Sequence, residues 1–79
     1  MNTTIAKPVA DAMNVVFTEN SLVVALADGR QVSAPPEWFP RLRGATAKQR
    51  KNWRLIGGGV GILWEDIDED ISARSLLAQ

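Results

Sequence analysis

Pro35-Pro36-Glu37-Trp38-Phe39-Pro40-Arg41-Leu42 sets two adjacent aromatics and a leucine among three prolines. A large apolar load therefore sits on a stiff, turn-prone backbone. In a chain of 79 residues, two neighbouring aromatics are buried only if the strands on either side fold around them. Proline is tolerated in a first helical turn, so Pro36 is expected to open a short helix or 3₁₀ turn carrying Trp38, Phe39 and Leu42. Trp38 and Leu42 stand at i and i+4, which in a continuous helix makes one apolar stripe. All three are read as core. Trp38→Ala is accordingly expected to cost ~3–5 kcal/mol as a core truncation.

Upstream, the pattern is period two. Val15 and Phe17 fall on one face of a strand, and Leu22, Val24 and Leu26 on one face of the next. Glu19-Asn20-Ser21 supplies a turn between them. Asp28-Gly29 between alternating apolar runs is a strong hairpin signal, because glycine accepts positive φ. A third strand from Arg30 to Ala34, with Val32 inward, completes an antiparallel meander. Pro35-Pro36 ends it, since neither residue can donate to a ladder. Residues 1–12 read as a flexible N-terminal tail and 13–79 as one domain.

Downstream, Gly44 is a stop signal, and Thr46 with Gln49 fits a capping box. A short, cationic, largely exposed helix is expected from Ala47 to Asn52. Trp53 and Leu55, then Ile62 and Trp64, read as inward positions of two further strands joined by the loop Gly57-Gly58-Gly59-Val60-Gly61. Ile67 and Ile71 are anchors inside an acidic loop, and Ser72 caps a last short helix that docks Leu76 and Leu77. The class is α+β: a small antiparallel sheet, formed by the meander and a later glycine-looped hairpin, packed by two or three short helices. The expected core comprises Phe17, Trp38, Phe39, Leu42, Trp53, Trp64, Ile71 and Leu77.

The absent residues limit the chemistry. Without cysteine there is no disulfide or thiolate site, and without histidine there is neither a neutral-pH proton shuttle nor the commonest zinc ligand. No apolar run approaches the ~18 residues of a membrane span, and Met1 to Lys7 lacks a signal-peptide core. A cytoplasmic protein with no membrane role is expected. Net charge is zero, yet the layout is segregated: Arg41, Arg43, Lys48, Arg50, Lys51 and Arg54 precede Glu65, Asp66, Asp68, Glu69 and Asp70.

Each suggestive motif has a plainer reading. The glycine cluster is followed by Ile62-Leu63-Trp64, which reads as strand, so it lacks the helix N-terminus a phosphate loop needs. Asp66, Asp68 and Asp70 share the spacing of an EF-hand opening, but Ile71 and Leu77 stand where glycine and a bidentate glutamate are required. Serine has no histidine base, and adjacent acids on one loop are not a separated acid–base pair. No catalytic residue, metal set or cofactor is assigned.

Leu22 to Leu26, Asp28-Gly29-Arg30, Trp38-Phe39-Pro40-Arg41-Leu42, Ala45-Thr46, Gln49-Arg50, Asn52-Trp53, Gly61-Ile62, Trp64, Asp68-Glu69-Asp70-Ile71-Ser72 and Leu76-Leu77 together resemble a small bacterial family, domain-of-unknown-function family 2442. The resemblance runs from about Val15 to Leu77 and implies a compact α+β domain. Some relatives carry a C-terminal helix-turn-helix domain, and this chain, ending at Gln79, is expected to resemble the stand-alone form. Others are encoded beside a second small protein, which suggests toxin–antitoxin pairs. Many relatives place a histidine and a proline beside the tryptophan, where this chain has Leu63 and Glu65.

The resulting expectation is a non-enzymatic domain that binds another small protein, in an antitoxin-like or regulatory role. Its contact residues are expected to be Arg41, Arg50 and Arg54 with Asp68, Glu69 and Asp70. An unpaired sheet edge and a small core also suit a homodimer. One alternative is nucleic-acid binding by the cationic helix, with Trp38 and Trp53 as stacking surface. Another is a small ligand or divalent metal held by the glycine loop and the carboxylates.

Overall fold

Alternation of apolar residues builds the first sheet. In the computed structural model, which describes residues 11–77, β1 (Ala12–Phe17), β2 (Leu22–Leu26) and β3 (Gln31–Ala34) form an antiparallel meander in the order β1-β2-β3. Val15 pairs with Val24 and Phe17 with Leu22, so the inward residues of β1 face those of β2. Leu22 and Val24 are fully buried. The Asp28-Gly29 turn closes the second hairpin with Gly29 at φ +93°, a backbone that L residues rarely adopt. β1 begins one residue inside the expected tail: Ala12 is already buried strand, and a register shift before Asn14 leaves Met13 exposed. Residues 1–10 of that tail lie outside the described residues.

After Pro35 the chain makes a 3₁₀ turn, Pro36–Trp38, and then α1 (Pro40–Arg43). The two are separate elements, because Phe39 between them is extended (φ −126°, ψ 91°). Proline at position 40 opens a new helix there instead of continuing the first. The expected i, i+4 stripe is therefore broken. Leu42 is fully buried, whereas Trp38 is 51% exposed, and its assignment to the core is corrected.

Thr46 caps α2 (Ala47–Lys51) with a complete capping box: its hydroxyl accepts from the Gln49 N–H at 3.1 Å, and the Gln49 side chain accepts from the Thr46 N–H at 2.9 Å. β4 (Arg54–Ile56), β5 (Gly61–Trp64) and β6 (Glu69–Ser72) make a second antiparallel sheet in the order β4-β5-β6. Trp53 precedes β4 and is half-buried, so it is a flank of the core and not a strand position. The acidic block is not one loop. Glu65–Ile67 forms a 3₁₀ turn and Glu69 and Asp70 enter β6, where Leu63 pairs with Asp70 and Ile62 with Ile71. α3 (Ala73–Leu77) follows directly, with Leu76 buried and Leu77 half-buried.

One buried cluster draws on both sheets and two of the helices: Leu22 and Val24, Leu42, Ile62 and Trp64, Ile71 and Leu76. Phe17, Phe39 and Leu77 pack around it, partly exposed. Full burial of a leucine such as Leu42 contributes about 1.5–3 kcal/mol. The sheets also meet at Gly59, where φ is +113° and an added Cβ would lie 2.5 Å from the Ala12 carbonyl oxygen. Only glycine permits that approach.

Candidate functional site

The two charge blocks of the sequence fold onto each other. Arg54 Nε donates to Glu65 Oε1 at 2.8 Å, and Asn52 Nδ2 donates to Asp66 Oδ2 at 2.7 Å. Asp68 takes the left-handed conformation (φ 53°), which aspartate tolerates better than most residues. Its carbonyl accepts from Arg41 Nη1, and its carboxylate lies 3.8 Å from the same nitrogen. α1, the start of β4 and the acidic turn are thus cross-linked at the surface. Exposed pairs of this kind are worth ~0–1 kcal/mol each, so they set local orientation more than stability.

Arg50 has a different role from its neighbours. Its Nε donates to the Leu42 carbonyl at 3.0 Å and its Nη2 to the Arg43 carbonyl at 3.3 Å, satisfying the C-terminal end of α1. The guanidinium lies 5.2 Å from the centroid of the Phe17 ring. The Arg50 carbonyl in turn accepts from Trp64 Nε1 at 3.0 Å, while Phe17 meets Trp64 edge-on at 6.2 Å. Arg50 is half-buried and committed to holding α1, α2 and the two sheets together. Among the six residues expected at a partner surface, Arg41, Arg54 and Asp68 join in the cross-linked patch, Glu69 and Asp70 lie on β6, and Arg50 is structural. Arg30 pairs locally with Asp28, Nε to Oδ2 at 2.7 Å. The N–H of Arg30 holds the Asp28 carboxyl below its ordinary range, partial desolvation pushes the other way, and the guanidinium adds to the lowering.

Two concave features are lined by residues outside this cross-linked patch. A groove of about 470 Å³ runs between β1 and α2, with Phe17 and Trp53 on its walls and Arg50 and Lys51 at its rim. A smaller hollow of about 290 Å³ lies at the glycine turn, bounded by Ile56, Val60, Asp70 and Ile71. It presents a single carboxylate, and among the described residues no three acidic side chains converge as a metal site requires. No helix of the described residues is long and apolar enough to cross a membrane.

Trp38 is the feature that reading the sequence misplaced. It stands on a rigid turn between Pro36 and Pro40, half in solvent, three residues before Arg41. The available signal was Pro40, which argues against a helix continuous from Trp38 to Leu42.

The fold defines a small two-sheet α+β domain with a charge-cross-linked face and an exposed tryptophan. Residues 12–79 match the family described as Protein of unknown function (DUF2442), and the chain belongs to that family. It is similar to the crystal structure of a protein of unknown function from Rhodospirillum rubrum, at 28% identity and TM-score 0.75, covering 92% of this chain and 88% of that one. It is also similar to the solution structure of an uncharacterized protein from Chromobacterium violaceum, at 26% identity and TM-score 0.73, covering 86% of this chain and 64% of that one. No curated protein matches it.

Proposed function

We propose that the chain is a non-enzymatic protein-binding domain that acts in the cytoplasm and whose contact surface centres on Trp38 and the Arg41–Asp68 link. The observation that carries this reading is the half-exposed tryptophan on a proline-stiffened turn. Rigid, partly exposed aromatics beside arginine are the residues that dominate binding energy at protein interfaces. A preorganised turn also loses little entropy on association. The surrounding charges of both signs would steer a charged partner and govern association rate more than affinity. An antitoxin-like or regulatory role toward a second small protein is the concrete form of this reading.

The test is co-purification of the tagged chain with and without nuclease treatment. One small protein at fixed stoichiometry is expected with the wild type. Arg41→Glu is expected to slow its association and flatten the salt dependence, and Trp38→Ala to abolish capture. Recovery of nucleic acid in place of a protein would overturn the reading.

A further inference from the structure

The groove between β1 and α2 holds an open sheet edge. The Thr18 N–H donates to the Ser21 carbonyl at 2.8 Å across the first hairpin turn. Antiparallel pairs alternate, so Asn14 and Val16 bond to β2, and the main-chain groups of Val15 and Phe17 point away from it. Among the described residues no strand pairs with that side of β1. Facing it across the groove stand Ala47, Arg50, Lys51 and Trp53. Every charged residue lining the groove is a cation, and among the described residues Lys51 makes no ion pair.

We propose that this groove binds an extended acidic peptide segment of a partner, which adds to β1 as a further strand. Val15 and Phe17 supply the ladder, Phe17 and Trp53 receive an apolar side chain, and Lys51 receives a carboxylate. Charge complementarity selects an acidic occupant, and the unpaired ladder selects a polypeptide over a nucleic acid, which has no matching row of amides. The site is separate from Trp38 and does not depend on the surface proposed there.

The experiment is an amide-resolved NMR titration of the full chain with a capped hexapeptide of alternating valine and glutamate. Controls are the valine–lysine counterpart, the acidic peptide N-methylated at alternate amides, and a ten-nucleotide oligothymidylate. Shifts are expected at Val15, Phe17, Lys51 and the Trp53 indole with the acidic peptide. They should vanish with the methylated peptide, weaken roughly fivefold in Lys51→Glu, and persist in Trp38→Ala. An equal response to the lysine or methylated peptide, oligothymidylate occupying the groove in preference to the peptide, or no response to the acidic peptide would each overturn the proposal.

Discussion

The indole Nε1 of Trp64 donates to the main-chain carbonyl of Arg50 at 3.0 Å, and this bond ties the C-terminal end of β5 to the last turn of α2. Trp64 is fully buried, so the bond satisfies a polar group that burial would otherwise leave costly. From this one contact the helix gains its place over the first sheet, because the Arg50 side chain reaches on to α1 and Phe17. Trp64→Ala is therefore expected to remove ~3–5 kcal/mol and unfold so small a domain. Trp64→Phe keeps most of the apolar volume and leaves the Arg50 carbonyl without its donor. Its expected loss is about 1–3 kcal/mol, read by urea unfolding. A Trp64→Ala chain that melts cooperatively like the wild type would remove the indole from the centre of the core.

Arg50 and Lys51 are adjacent cations with opposite structural weight. Arg50→Lys keeps the charge but loses the guanidinium geometry that serves two carbonyls of α1. A loss of about 1 kcal/mol is expected for this half-buried group. Lys51→Ala should stay within about 0.5 kcal/mol of wild type. Equal effects in paired unfolding curves would mean that the Arg50 contacts are not maintained in solution.

Gly58 and Gly59 make a second contrast. Both have positive φ, but a Cβ at Gly58 meets nothing within 4 Å, while at Gly59 it strikes the Ala12 carbonyl. Gly58→Ala is expected to cost about 1 kcal/mol from backbone strain. Gly59→Ala is expected to cost about 2–4 kcal/mol, since β1 must also shift. Thermal melts of the two variants decide the order, and the reverse order would mean that the sheets do not meet at Gly59.

The Asp28 carboxyl is held below its ordinary value of 3.8, foremost by the N–H of Arg30. With a folded-state pKa below the unfolded one, its contribution is fully present above pH 3.8 and lost as pH falls through the folded value. Asp28→Asn retains a side-chain acceptor without the charge. Its stability deficit relative to wild type should be constant near neutrality and shrink in acid below pH 3.8. A deficit that grows on acidification would reverse the sign of this coupling.

Local signals were the legible ones. The Thr46–Gln49 box, the Asp28-Gly29 turn and the alternation of Leu22, Val24 and Leu26 each depend on neighbours a few residues away, and each appears where the sequence places it. β6 was not legible, because Glu69 and Asp70 have no intrinsic strand preference and become strand by pairing with Trp64 and Leu63. The exposure of Trp38 is not legible from spacing alone, which does not reveal that Phe39 is extended and separates two short helical elements. The surface residues were legible only as charge blocks. Their division into a cross-linked face (Arg41, Arg54, Asp68) and a structural arginine (Arg50) arises from contacts seven or more residues apart in sequence.

The most direct measurement compares wild type and Trp38→Ala in parallel, by thermal melting and by nuclease-treated co-purification. An exposed contact residue predicts a variant whose midpoint lies within about 4–8 °C of wild type, the shift that about 1 kcal/mol produces in a domain of this size, and which no longer retains the small protein partner. A variant that fails to fold, or one that folds and still captures the partner in full, would contradict Trp38 as the centre of the binding surface.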